Sequence, residues 1–482
     1  MTAVGLLMGL SACTLAPEPL ETSAIGDAAR SALDATVQEQ VPVTRPIDLA
    51  EAMARAVKYN LDTRVQLLEE TVRSRQLVQA NLAMLPALAA NAGYAGRDQF
   101  ESSYSRSLET GQRYLQNNTS QDRDLFTRDL QISWNVLDLG LSYVRAEQAG
   151  DRVLLAREER RRVMARVIEE VRTAYWRALA AEYVGRELQV LQGRVKGAVA
   201  QAEKLVENRQ ASPLAALSAQ RDLHELTERV QQIHQEVATA RSQLAALMNL
   251  PPGTRFSLVR PAGLRFPALP ATPEKALAEA LRQRPEIRGA LYGQRIEERE
   301  ATAALLELLP GITLTAGPNA TSNSYTFAND WVSWGAKASW NLLRLASYPA
   351  RKAEQESREA LAQERVKATV ASVALQVHVS RLRYDLARQR AETLAQYEAT
   401  QRKLLAQVQA SAATSITGDN ELVREQLNAL LSRARLDVAV ADAQAAYGGV
   451  LTAMGRDPYP QGSDMSLAEL AAAFRRGPVG PS

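Results

Sequence analysis

VIEEVRTAYWRALAAEYVGRELQVLQGRVKGAVAQAEKL, from Val167 to Leu205, places apolar or small residues at steps of three and four: Val167, Val171, Ala174 and Ala178, then Leu188, Leu191, Val195, Ala198, Ala202 and Leu205. This spacing predicts a coiled-coil seam. Glu169, Glu170, Arg172, Glu182 and Arg186 interrupt any apolar run, so the helix is not a membrane span. Followed outward, the pattern extends from Ser142 to about Asn208, roughly 65 residues or about 100 Å of helix. It stops at Gln210, Ala211, Ser212 and Pro213, where serine and proline mark a helix stop and restart. A returning arm, Leu214 to Leu250, is only about half as long.

The hairpin occurs twice. Leu137 stands 111 residues before Met248 and Leu343 stands 111 before Met454, so an offset of 206 carries the first copy onto a second running from about Ser347 to Met454. Because each outgoing arm outruns its return, its upper half needs another amphipathic helix to cover it. Ile47 to Met84 predicts one, with Leu49, Met53, Ala56, Val57, Leu61, Val65 and Leu68 at helical spacing. Its counterpart is Pro273 to Leu309, on which Ala52, Ala56, Val57 and Leu61 fall at Ala276, Ala280, Leu281 and Pro285. Each half is therefore a short helix, a non-helical segment, a long helix and a short helix, and the halves are expected to interleave in one body.

In the non-helical segments the period changes to two. Leu88, Ala90, Ala92 and Tyr94 alternate with small or polar residues, and so do Leu130, Ile132, Trp134 and Val136. In the second half the alternating residues are Ile312, Leu314 and Ala316, then Val332, Trp334, Ala336, Ala338 and Trp340. Between the first pair, Gly96 to Asp124 is polar with no apolar period and reads as a long exposed loop. Runs of this length with one bulky apolar side fit transmembrane barrel strands; a soluble antiparallel sheet resting on a core is the rival reading. No helix is left over to cover such a sheet. Four strands do not close a barrel, and open edges are not tolerated in hydrocarbon, so several chains must share one. Two chains give eight strands and a filled interior, three give twelve and room for a pore. The lipid-facing residues expected on this reading are Ile132, Trp134, Trp334, Ala336 and Trp340, with Ser133, Asn135, Gly335 and Ser339 facing the lumen.

Composition narrows the class further. The 57 basic and 54 acidic residues nearly balance, which gives no bulk argument for nucleic acid as a partner. Aromatics are only 5%, suiting slender, closely packed helices. The single cysteine, Cys13, ends an apolar run in the order Leu10, Ser11, Ala12, Cys13. This resembles a bacterial lipobox, which implies cleavage before Cys13 and a diacylglycerol, with palmitate, on the new terminus; the basic n-region usual in such signals is missing. Thr14, where an aspartate would signal otherwise, implies export to the outer membrane. The chain thus divides into a signal peptide (1–12), a lipidated arm (13–46) and a first repeat (47–250, with strand pair 87–138 and hairpin 142–250). A proline-rich linker (251–272), a second repeat (273–455, with strand pair 311–342 and hairpin 347–455) and a tail (456–482) complete it. The linker, the tail with a short helix near Leu467 to Phe474, and the N-terminal arm are expected to form a girdle around the helices.

The order of these pieces resembles the TolC family of outer-membrane efflux factors over essentially everything after Cys13. The carrying features are the paired turns Leu85-Pro86-Ala87-Leu88 and Leu309-Pro310-Gly311-Ile312. The paired returns add to them: Trp134-Asn135-Val136-Leu137-Asp138-Leu139-Gly140 and Trp340-Asn341-Leu342-Leu343. In the second return, Arg344 and Ala346 replace the aspartate and glycine of the first. The resemblance implies a mainly helical fold with a small β part. Long coiled-coil hairpins would form a periplasmic α-barrel, and four strands per chain would join a shared trimeric β-barrel. It implies a homotrimer anchored in outer-membrane lipid and working with a periplasmic adaptor and an inner-membrane transporter. Drug or metal efflux and type I secretion both remain open, as does, in another class, a periplasmic coiled-coil scaffold or adaptor lipoprotein.

No catalytic constellation is expected, nor a cofactor or metal. His224 and His234 are ten apart and fall on different helix faces, and His378 is in the other hairpin. The run Arg157, Glu158, Glu159, Arg160, Arg161, Arg162 reads as a solvated face with local ion pairs. The two hairpin tips differ, since Ser212, Pro213 and Ala215 correspond at the 206 offset to Gly418, Asp419 and Glu421. The second tip, Ser415 to Glu421, is therefore the candidate gate. Asp419 and Glu421 would form a like-charge ring if the tip turns inward, or Asp419 would simply cap the returning helix. The resemblance also puts acidic residues near this tip, while Arg424 occupies the place of a second one and could salt-bridge the ring.

Overall fold

The computed structural model describes residues 18–38, 40–208, 212–251, 253–260, 266–412, 419–456 and 465–476. Cys13 and the lipobox, the centre of the first tip and residues 413–418 of the second lie outside the described residues. The N-terminal arm holds α1 (Thr22–Gln38), followed by α2 (Leu49–Tyr59) and α3 (Leu61–Leu82). Where one helix was expected over Ile47 to Met84 there are two. Asn60 leaves the helical conformation, and its side chain accepts from the Thr63 amide at 3.3 Å to start α3 afresh.

β1 (Ala87–Gly96) then leads away from the helices, and β4 (Asp124–Asn135) leads back. Between them the expected loop contains a hairpin of β2 (Ser102–Arg106) and β3 (Arg113–Thr119). It left no alternating signature because its described side chains are nearly all exposed, so no buried face imposes one. Nor does the returning strand run from Leu130 to Val136: it begins at Asp124 and ends at Asn135. The Asn135 side chain accepts from the Leu137 amide at 3.0 Å and turns the chain directly into α4 (Val136–Glu207), so the long helix starts six residues before Ser142. At 72 residues α4 is about 110 Å long.

The return is α5 (Pro213–Ala238) and α6 (Ala240–Leu247). The second half repeats the plan with α7 (Pro273–Gln283) and α8 (Pro285–Leu306), broken at Arg284 by Pro285 as α2 and α3 are at Asn60. β5 (Gly311–Thr321), β6 (Asp330–Ser339), a single turn α9 (Leu343–Ala346), α10 (Tyr348–Ala412), α11 (Asp419–Ala453) and the tail helix α12 (Leu467–Arg476) complete the chain. Both hairpins finish in the same left-handed cap: Asn249 has φ 56° and Gly455 φ 73°. The next amides, Leu250 and Arg456, donate back to the Ala245 and Leu451 carbonyls at 2.8 and 2.9 Å.

Two helices cover the upper half of α4, the half nearer the strands. α3 lies on one flank and α8, from the other repeat, on the second. The lower half packs against α5 and α11, with Val184, Leu188, Leu191 and Val195 against Leu223, Val230, Val423, Leu427 and Leu431. Polar contacts set the upper registers. Glu70 of α3 pairs with Arg157 and Arg160 at 3.0 and 3.3 Å, and Asp151 of α4, buried, takes both Arg295 and Arg299 of α8. The basic run is thus partly local, as in Arg161–Glu158 at 2.7 Å, and partly a clasp between helices.

At mid-height the non-repeated pieces meet. α12 lies on α2, where Arg475 pairs with Asp48 at 2.8 Å, and Ile47 bridges to Leu258 of the linker. Each long helix ties itself to that linker by a tyrosine hydroxyl. Tyr175 donates to the Val259 carbonyl at 2.7 Å, and Tyr384 donates to that of Pro267. Burial raises the pKa of both phenols, Tyr384 to about 12.

Candidate functional site

Alternation in the sequence becomes a two-faced wall in the structure. Strands β1, β4, β5 and β6 pair in that order, all antiparallel, and leave β1 and β6 as open edges. The registers line up Leu88, Ile132, Ala316 and Trp334 in one lateral row, and Trp134, Leu314 and Ala336 in the next. Successive side chains point to opposite faces, so Ala90, Tyr94, Phe126, Leu130, Ile312 and Val332 share the face of these rows. Trp340, just past β6, continues the same face, and its indole donates to the Leu308 carbonyl at 2.9 Å. All five residues expected to face lipid, Ile132, Trp134, Trp334, Ala336 and Trp340, therefore share one face, and all are exposed in the single chain.

The opposite face carries Asn91, Asp129, Gln131, Ser133, Asn135, Thr313, Thr315, Asn319, Ser333, Lys337 and Ser339. It satisfies part of itself, with Asn91 donating to Asp129 at 2.8 Å and Asn319 to Ser333 at 2.7 Å. Gly317 lies here because β4 crowds it: a Cβ at that position would stand 1.9 Å from the Leu130 carbonyl oxygen. One cation interrupts the apolar face. Arg128, exposed, lies in the row of Ala92 and Ala320, next to the Tyr94 and Phe126 row at the end remote from the helices. It breaks the alternation Phe126, Leu130, Ile132, which is why the strand reads from sequence as starting at Leu130.

At the second tip, α11 begins at Asp419. Glu421 is exposed, and Arg424 reaches both Glu421 at 3.5 Å and Glu425 at 3.4 Å. The arginine is thus bridged to acids on its own helix. Glu425, buried, also accepts from Asn428 at 3.2 Å. One level above, Arg194 of α4 donates to Gln426 of α11 at 2.8 Å. That link between repeats escapes sequence reading, since the residues are 232 apart and neither breaks its helical pattern.

His224 and His234 are on α5, where His234 packs on Gly185 of α4, and His378 is on α10. Among the described residues no group of three His, Cys, Asp or Glu side chains is placed to hold a metal, and no helix is long and apolar enough to cross a membrane.

A mainly helical chain of two interleaved repeats, with long hairpins running into a small two-faced antiparallel sheet, is the fold class these elements define. No protein-family model and no curated protein matches the sequence. Solved structures do match. The outer-membrane channel OprN is similar over 84% of this chain and 89% of its own, at 18% identity and a TM-score of 0.65. The open-state outer-membrane channel MtrE of Neisseria gonorrhoeae is similar over 84% and 88%, at 18% identity and 0.65. The outer-membrane protein VceC of Vibrio cholerae is similar over 84% and 96%, at 16% identity and 0.61. The fold is that of the TolC-type outer-membrane channels.

Proposed function

We propose that the protein is the outer-membrane exit duct of a tripartite export system. In this reading three copies close a twelve-stranded barrel and a periplasmic helical tunnel, each copy anchored by lipid on Cys13. A periplasmic adaptor and an inner-membrane transporter deliver the substrate. The observation that carries it is an unequal covering of equivalent helices. The upper half of α4 has a helix on each flank, α3 and α8, whereas its repeat α10 has only α8 among the described residues. Leu361 and Leu375 of α10 stay exposed, and so do Leu61, Val65, Leu68, Val72 and Val78 of α3. If the repeat extends between chains, the α3 of a second copy fills the vacant flank of α10, and three copies give the strand count that leaves a pore.

Asp419 and Glu421 form the gate at the periplasmic end, with Arg424 moderating their charge through its bridges to Glu421 and Glu425. The duct moves substrate without chemistry of its own and serves drug, ion or polypeptide export according to the transporter behind it.

Fractionation and single-channel recording test the reading. A heat-modifiable trimer in outer membranes that conducts in planar bilayers supports it, with Asp419→Asn and Glu421→Gln altering conductance or cation block. Release as a monomer at high pH would support the scaffold lipoprotein instead. Mass spectrometry of the mature terminus tests the lipid: an unmodified Cys13 rules the anchor out.

A further inference from the structure

The apolar face of the sheet carries its one mid-strand cation, Arg128, near the rim remote from the helices. No hydrogen bond or ion pair joins its guanidinium to a described residue. Its lateral neighbours, Ala92 on β1 and Ala320 on β5, are too short to cover it. Asp330 on β6 is in the same row but two strands away, roughly 10 Å at the usual strand spacing. Asp124, nearer the rim, is engaged by the Tyr94 hydroxyl at 2.7 Å. Arg123 is over the Phe100 ring at 5.2 Å. The acid next in sequence, Asp129, points to the other face and is held by Asn91. Arg128, on a strand face that is apolar except for the carboxylates Asp124 and Asp330 at the strand ends, therefore has its counter-charge outside this chain.

We infer that Arg128 binds the phosphate of an anionic lipid headgroup in the leaflet remote from the helices. The inference rests on the reading of the sheet as a membrane wall. Tyr94 and Phe126, one row farther out, supply the aromatic belt that marks the headgroup level. An arginine one row inside it, roughly 5 Å deeper along a tilted strand, extends its side chain outward to that level. There the planar fork matches two phosphate oxygens, while acyl chains lie on Leu130, Ala90 and Pro318 below. The flanking alanines leave a shallow seat for the headgroup. The ligand class is a phosphorylated membrane lipid, taken here as a bis-phosphorylated glucosamine lipid of the lipid A type, whose phosphates offer the paired oxygens the guanidinium fork matches.

The test uses the full-length protein reconstituted with lipid A or with its dephosphorylated form, and counts the lipids retained by native mass spectrometry. Wild type should retain lipid A in preference to the dephosphorylated form. Arg128→Gln should weaken that retention about tenfold or more, as expected for the loss of one charge-assisted contact, and should leave the dephosphorylated form unchanged. Lys337→Gln, which removes a cation from the opposite face, should retain as wild type does. Arg128→Gln matching wild type would overturn the site, and so would Lys337→Gln losing as much as Arg128→Gln. A wild type that inserts and conducts without any preference for phosphate refutes the lipid site alone, whereas one that never inserts refutes the membrane reading with it.

Discussion

Ile132→Arg gives the sharpest probe of the sheet, because the registers fix its depth. Ile132 is in one row with Ala316 and Trp334. Phe126, in the outer aromatic row, is six residues up β4, and Trp340, which marks an inner row just past β6, is six residues down the chain from Trp334. Six residues of strand span about 20 Å, or about 15 Å of height at the usual barrel tilt, so the two rows stand about 30 Å apart with Ile132 midway. In the barrel proposed above, an arginine on the lipid face at that depth costs about 2–4 kcal/mol per chain, hence about 6–12 kcal/mol over three copies. Ser133→Arg, on the other face, meets water and costs far less. Oligomer recovery after extraction, scored by heat modifiability and by the denaturant needed to unfold the barrel, should collapse for Ile132→Arg and remain near wild type for Ser133→Arg. Equal assembly of the two variants would refute the assignment of faces, and the reverse order would invert it.

Three other outcomes follow from single contacts. Asp151→Ala removes the buried carboxylate shared by Arg295 and Arg299; both arginines are partly solvated, so the loss should be about 1.5–3 kcal/mol in chemical unfolding. Gly317→Ala drives a methyl into the Leu130 carbonyl and should disrupt β4–β5 pairing, read as lost oligomer with helical circular dichroism retained. Tyr384 ionises near pH 12 when folded but near its ordinary value of 10 when unfolded, so its contribution is complete below pH 10 and is lost as the pH rises through 12. Alkaline titration should show tertiary structure failing within that window, and Tyr384→Phe, which cannot ionise, should narrow the loss.

The long hairpins were legible because Val167 to Ala198 holds its step while charges break every apolar run, a pattern only a two-sided helix tolerates. The sheet faces were legible because Ile132, Trp134, Ala336 and Trp340 are bulky or apolar where Ser133, Asn135 and Lys337 are not. The break at Asn60 was not, because Val57, Leu61 and Val65 keep the helical period across it and the interruption is a local hydrogen bond. The β2–β3 hairpin escaped because a ladder exposed on both faces imposes no hydrophobic alternation. At the tip, the acids were visible as a charge difference between repeats and Arg424 through the family resemblance, but the bridge from Arg424 to Glu425 depends on how α11 is buried against α4. Arg194 and Gln426 meet only through tertiary packing, to which periodicity is blind.

Interleaving also governs how such a chain comes to be made. Synthesis runs from the N-terminus, so α4 emerges with only α3, and then α5 and α6, able to dock on it. Its remaining flank waits for α8 and α11, whose contacts lie 148 to 232 residues downstream, as in Gln148 with Ile296 and Arg194 with Gln426. Contacts of such sequence separation form late, and until they do the first repeat exposes Val184, Leu188 and Leu191 to any other apolar surface. The halves cannot mature one after the other as beads on a string. The nascent chain keeps this apolar flank uncovered until its last long helix arrives.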